Sequence, residues 1–199
     1  MIIARLLRAG NGSDIPKWVN MVVSKLPQIS TFIRLVYFSG LRFVEAVNSY
    51  NLLIELGRHE MLNDYYRNCI LLHYKFPKTF IRSTKRVYIS VVPDALVLDI
   101  INSKPVIIDV KKLLQHHSLT IRFVDMRENW ATEMVRFLST AEVDFLMGHC
   151  SANVFMSNYF TPQIDGLKQR ALKGILELQQ RLFDPPFIVV GDAAQGVTR

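Results

Sequence analysis

Two arginines, a histidine and a late tyrosine form the set of side chains here that fits phosphate chemistry without a metal. Arg42 lies in Ser39-Gly40-Leu41-Arg42-Phe43-Val44-Glu45-Ala46, Arg127 ends Val124-Asp125-Met126-Arg127, and His149 ends Leu146-Met147-Gly148-His149, with Tyr159 ten residues later. A phosphodiester is negatively charged, and in-line attack gathers further charge on its non-bridging oxygens, so a site must supply preorganised cationic donors. Guanidinium does so with a planar fork that grips two oxygens and stays protonated near neutral pH. Arg42 and Arg127 suit that clamp, His149 suits a further donor to a non-bridging oxygen, and Tyr159 suits a nucleophile. A phenol with a pKa near ~10 needs the cationic pocket, or a proton acceptor, to expose its phenolate. Glu45, one helical turn beyond Arg42, can buttress the guanidinium.

In order and spacing, the three segments resemble the signature boxes of the tyrosine recombinase (integrase) family, T-G-L-R-x-x-E, H-x-L-R and L-G-H with a tyrosine nine or ten residues on. The resemblance covers about residues 30 to 180. Met126-Arg127-Glu128-Asn129-Trp130, in place of a common Leu-Arg-His-Thr-Phe, is closer to integrases of archaeal viruses and plasmids. It implies DNA cleavage through a 3′-phosphotyrosine and a free 5′-hydroxyl, followed by rejoining to another strand without ATP. It implies double-stranded DNA as partner, no cofactor, a monomer when free and a homotetramer on synapsed sites, inside the host cell. The family protonates the leaving 5′-oxygen with a lysine on a β-hairpin. Lys85, in Lys78-Thr79-Phe80-Ile81-Arg82-Ser83-Thr84-Lys85-Arg86, is the first choice and Lys78 the runner-up.

The departure lies at Val124, where the second box usually carries histidine, and valine neither donates a hydrogen bond nor moves a proton. Either His117 or Arg122 reaches the phosphate instead, or the site works with one donor fewer, or the chain is decaying. Losing one such donor commonly costs about 10² to 10³ in rate. Two alternatives share these residues: a type IB topoisomerase-like relaxing activity, and a catalytically impaired DNA-binding relative. Family members usually carry an N-terminal DNA-clamping domain, and only about 30 residues precede the first box, so the expectation is a catalytic domain binding DNA weakly.

Composition agrees with a folded, anion-seeking protein. The 199 residues are half hydrophobic and carry 24 Lys and Arg against 17 Asp and Glu, a net charge of +7 that favours a polyanion. Cys69 and Cys150 are far apart, with no zinc-ligand spacing and no tight carboxylate cluster, so neither metal nor disulfide is indicated. Met1 to Gly10 is apolar but broken by Arg5 and Arg8, which argues against a signal peptide or a membrane span.

The elements that must position these residues are mostly helical. Amphipathic segments are expected near 15–24, 28–39 and Arg42 to Leu56. Residues 69–74 and 86–92 read as antiparallel strands, and Pro93 opens a short helix to about Asn102. Asp109 caps 110–116, a long helix spans about 123–138, Ser139-Thr140-Ala141-Glu142 has capping-box spacing, and Gly148 ends that helix. Thr161 and Pro162 open a last helix bearing an apolar stripe of Leu167, Ala171, Ile175 and Leu178, which packs either on its own domain or on a neighbour. The expected class is α+β, mostly α-helical with a small antiparallel sheet: a lead-in over 1–14, the catalytic domain over 15–183 and a tail over 184–199. Tyr37, Tyr50, Tyr65, Tyr66, Tyr74 and Tyr88 read as core or strand aromatics rather than nucleophiles.

Overall fold

The first helix, α1 (Ile15–Lys25), repeats apolar residues at Ile15, Trp18, Val19 and Val22, the spacing of one helical face, and buries all four. A 3-10 turn at Pro27–Ile29 leads into α2 (Ser30–Ser39), which buries residues all round, as a helix surrounded by other elements must. The computed structural model describes residues 15–82, 85–105, 109–149 and 163–183, with the side chains of Arg82, Lys85 and Phe183 outside that description. The lead-in, the tail and the Thr161-Pro162 cap lie outside the described residues.

Next come α3 (Phe43–Arg58), β1 (Tyr66–Arg67), β2 (Ile70–Leu71), α4 (Pro77–Phe80), β3 (Ile81–Arg82), β4 (Lys85–Arg86), β5 (Ser90–Val91) and α5 (Asp94–Ile101). They are followed by α6 (Val110–His116), α7 (Phe123–Met134), α8 (Thr140–Leu146) and α9 (Ile164–Phe183). The chain is thus α+β and mostly helical, with α2 packed against α1, α3, α5, α7 and α9. Phe32 on α2 is fully buried and meets Phe43, Tyr50 and Phe123 edge-on, at 5.9, 5.6 and 6.4 Å between ring centres.

The strands depart from the expected pair. Antiparallel β1, β2 and β5 form one sheet in that order, and β3 and β4 form a separate hairpin pairing Ile81 with Arg86 and Arg82 with Lys85. Asn68 and Cys69 adopt positive φ (51° and 63°), so Cys69, expected to begin a strand, instead turns the chain between β1 and β2. Past Leu71 the chain leaves the sheet in a 3-10 turn that buries His73 and exposes Tyr74, so Tyr74 is neither core nor strand.

His73 joins sheet to helix. Its Nδ1 lies 2.8 Å from the Tyr65 hydroxyl and its Nε2 2.9 Å from Ser90 Oγ, while Tyr65 donates to Ser49 Oγ on α3 at 2.9 Å. Burial alone pushes the imidazole down to about 3, and the buried Tyr65 phenol is held well above its ordinary value.

Several end signals act as the sequence predicts. Asp109 Oδ1 accepts from the backbone of Lys111 and Lys112, and Ser139 and Glu142 form a reciprocal capping box. The long helix stops at Met134 rather than near 138, because Phe137 and Leu138 fold back onto the Met134 carbonyl. That turn meets α9 at Gly174, where a Cβ would lie 2.8 Å from both Met134 and Phe137. Leu167, Ala171, Ile175, Leu178 and Leu182 are all buried, so the stripe on α9 packs within its own chain. Ion pairs Arg181–Glu133 at 2.7 Å and Arg136–Glu177 at 2.6 Å, with Arg170–Glu142, flank that contact.

Candidate active site

Arg42 is the N-cap of α3, following the left-handed turn at Gly40 (φ 65°) that ends α2. Both Glu45 oxygens reach back: Oε2 accepts from the Arg42 backbone N–H at 3.0 Å and Oε1 from Nη1 at 2.9 Å. Glu45 is 1% exposed and the Arg42 side chain 20%, so a buried carboxylate fixes a partly accessible guanidinium.

Arg127 comes from the first half of α7. It donates from Nη1 to the carbonyl of Gly40 and from Nη2 to that of Met147 at 2.6 Å, and Nη2 lies 3.4 Å from His149 Nε2. One guanidinium therefore ties the turn before Arg42 to the turn before His149. Burial first, and the Arg42 charge second, push Arg127 down to about 10 from its ordinary value, with Glu45 opposing; it stays a cation at neutral pH. One turn further along α7, Trp130 donates from Nε1 to Phe38 O at 2.8 Å and lies against Gly40.

His149 follows α8 through a Schellman ending. Gly148 is left-handed (φ 67°), its N–H bonds to Phe145 O at 3.0 Å, and the His149 N–H bonds to Asp144 O at 2.9 Å. This ending brings the residue after the glycine beside the third residue from the helix end, and Asp144 Oδ1 accordingly sits 3.2 Å from His149 Nδ1. Gly148 also presses on the β3–β4 hairpin: a Cβ there would lie 2.9 Å from the Arg86 carbonyl carbon and oxygen and the Val87 nitrogen. The Arg86 N–H points at Gly148 O at 3.5 Å, so the backbone of Lys85 is one residue from the His149 turn. Lys78 sits on α4, before the hairpin, exposed.

Three of the five expected side chains, Arg42, Arg127 and His149, thus gather around two glycine turns, with Lys85 adjacent by its backbone. Tyr159 lies outside the described residues. Of the competing tyrosines, Tyr37, Tyr50, Tyr65 and Tyr66 are buried, and Tyr88 stacks on Phe145. Val124 is 70% exposed, one turn from Arg127 and with no polar atom to offer. Arg122, one suggested replacement, is the N-cap residue of α7 and pairs from Nε with Asp125 Oδ2 on its own helix at 2.9 Å. His117, the other, is exposed beyond α6.

Sequence reasoning missed three features. Asp144 was legible, because a glycine ending a helix sets this five-residue contact. Lys111, on α6, lies 4.7 Å over the Phe43 ring, adding a cation beside Arg42. Arg122-Phe123-Val124-Asp125 repeats the pattern of Arg42-Phe43-Val44-Glu45, and the two phenylalanines meet at 4.6 Å, so α3 and α7 begin side by side. Their N-termini add partial positive charge to the arginines.

Among the described residues no group of three or more His, Cys, Asp or Glu could hold a metal ion, and no helix is long and apolar enough to cross a membrane. In comparison with known proteins, no family model, curated protein or solved structure matches the chain.

Proposed function

We propose that this chain is a site-specific DNA recombinase of the tyrosine recombinase kind, acting as a monomer that assembles as a tetramer on paired double-stranded sites. The observation that carries the reading is the convergence of Arg42, Arg127 and His149, from three distant segments, around turns that also hold the Lys85 hairpin. In this reading the two guanidinium groups and His149 hold the scissile phosphate. The Tyr159 oxygen bonds to phosphorus as the P–O5′ bond breaks, Lys85 gives its proton to the departing O5′, and the phenol proton passes to an acceptor. The products are a 3′-phosphotyrosine and a 5′-hydroxyl, and another 5′-hydroxyl reverses the step on a new strand.

Trapping tests it. The protein is incubated in EDTA with nicked suicide duplexes from a randomised library, beside Tyr159→Phe, and resolved on denaturing gels. A protein–DNA band absent from the variant supports the reading. DNA retention without any such band favours a second reading, an impaired DNA-binding relative, for which the exposed, donor-less Val124 speaks. A need for paired specific sites separates recombination from topoisomerase-like relaxation.

A further inference from the structure

The cations around the start of α3 are mostly matched by carboxylates. Arg42 pairs with Glu45, Arg122 with Asp125 and, on α6, Lys112 with Asp109. Lys111 has no acidic partner among the described residues, and its Nζ lies 4.7 Å over the Phe43 ring. We infer that Lys111, held on Phe43, binds a backbone phosphate of the DNA strand next to the one gripped by Arg42 and Arg127, a contact that rests on the function proposed above.

The ring makes this ammonium a ready ligand for an anion. A carboxylate partner would accept its N–H bonds and cancel its charge. An aromatic face attracts the cation electrostatically, yet leaves the charge uncancelled and the N–H donors free for phosphate oxygens. It also restrains a flexible stem, so less freedom is lost when a phosphate arrives. Phe43 is itself fixed, since its ring meets Phe123 at 4.6 Å and the fully buried Phe32 edge-on at 5.9 Å. The support for the exposed Lys111 is therefore continuous with the core.

The placement selects a neighbouring phosphate. Phe43 and Glu45 are two residues apart on α3 and so face different sides of its first turn. Arg42 is drawn toward Glu45, and the charges of both act on Arg127. Lys111 stands on the Phe43 side instead. Guanidinium pair and ammonium thus serve separate anions, and a DNA strand presents anions in series.

The test measures binding of the full chain to labelled duplexes of random sequence, followed by fluorescence anisotropy. Loss of one phosphate contact should flatten the slope of log K against log salt by about 0.9. Lys111→Met should accordingly bind more weakly than wild type, by a gap that narrows about 3-fold between about 50 and 200 mM salt. Lys111→Arg, which keeps a cation able to stack on a ring, should retain the wild-type slope. Phe43→Leu leaves the ammonium without its support and should lose about 2- to 5-fold in affinity at an unchanged slope. Lys112→Met removes the same charge one residue away, from a side chain already paired with Asp109, and should leave the slope as it is.

Equal slope changes in Lys111→Met and Lys112→Met would reduce the effect to net charge and overturn the inference, as would a wild-type slope in Lys111→Met. In the trapping assay, Lys111→Met should need more DNA for half-maximal adduct formation. A defect of about 10²-fold or more that saturating DNA does not relieve would put the ammonium on the scissile phosphate and overturn its assignment to a neighbour. DNA binding by wild type without any adduct sinks the recombinase reading alone, and the salt slopes still decide the role of Lys111. No DNA binding by wild type overturns both. Lys111 and Lys112 are exposed on α6, so their variants should keep the wild-type circular dichroism.

Discussion

Trp130 occupies the space that a side chain at Gly40 would need: a Cβ there would stand 2.5 Å from the indole ring. Gly40 is also left-handed, and its carbonyl accepts from Arg127. Gly40→Ala combines backbone strain of about 1–2 kcal/mol with overpacking of about 1–3 kcal/mol. Urea denaturation should show a loss of about 2–5 kcal/mol. A variant as stable as wild type would mean that the indole moves aside freely.

Arg127 and Arg42 should part company when each is replaced by lysine. Lysine is a point charge without the fork, so Arg127→Lys leaves one of two carbonyls 20 and 87 residues away without its donor. The expected cost is about 1–3 kcal/mol. Arg42→Lys keeps a cation beside Glu45 and should cost less than about 1 kcal/mol. Both should suppress adduct formation. Denaturant midpoints in the opposite order would sink the stitching role of Arg127.

His73 sets an acid limit on the fold. Folded, it resists protonation down to about 3, whereas in the unfolded chain it takes a proton near 6.5. The unfolded state therefore binds more protons between those values, and stability falls as pH drops through that window and is unaffected by this group above it. The full effect is about 5 kcal/mol. The slope of stability against pH between 6 and 4 should be shallower in His73→Gln, which offers the same bonds without a titrating ring; equal slopes would refute the assignment.

Val124→His should be structurally silent and chemically active. The side chain is 70% exposed, so stability should change by less than about 0.5 kcal/mol. An imidazole one turn from Arg127 supplies the missing donor or acceptor, and adduct formation should rise by about 10-fold or more. A rate no faster than wild type would mean that this face of α7 does not look onto the phosphate.

Helix ends were the most legible part of this chain, because Asp109, Ser139 with Glu142, and Gly148 each act through local hydrogen bonding within a few residues. The sheet was misread because β-branched runs report burial rather than pairing: His73 is as buried as any strand residue, yet it lies in a 3-10 turn. That Arg42, Arg127 and His149 would gather in one place was expected from residue type and spacing, and they do. That Arg127 would spend two donors on main-chain carbonyls was not, since those contacts depend on where distant turns fall in space. Trp130 carried no signal beyond its size.

The bond from Arg127 to Gly40 spans 87 residues of chain and the bond to Met147 another 20. Neither can form until the intervening loops have closed, and contacts of such separation form late when a chain folds. On the ribosome, a chain emerged only to Trp130 has both arginines but no Met147 carbonyl, no Gly148 corner for the hairpin and no His149. The cationic pocket thus comes into being only once the chain has been made through His149, so its three side chains cannot meet in a half-made protein.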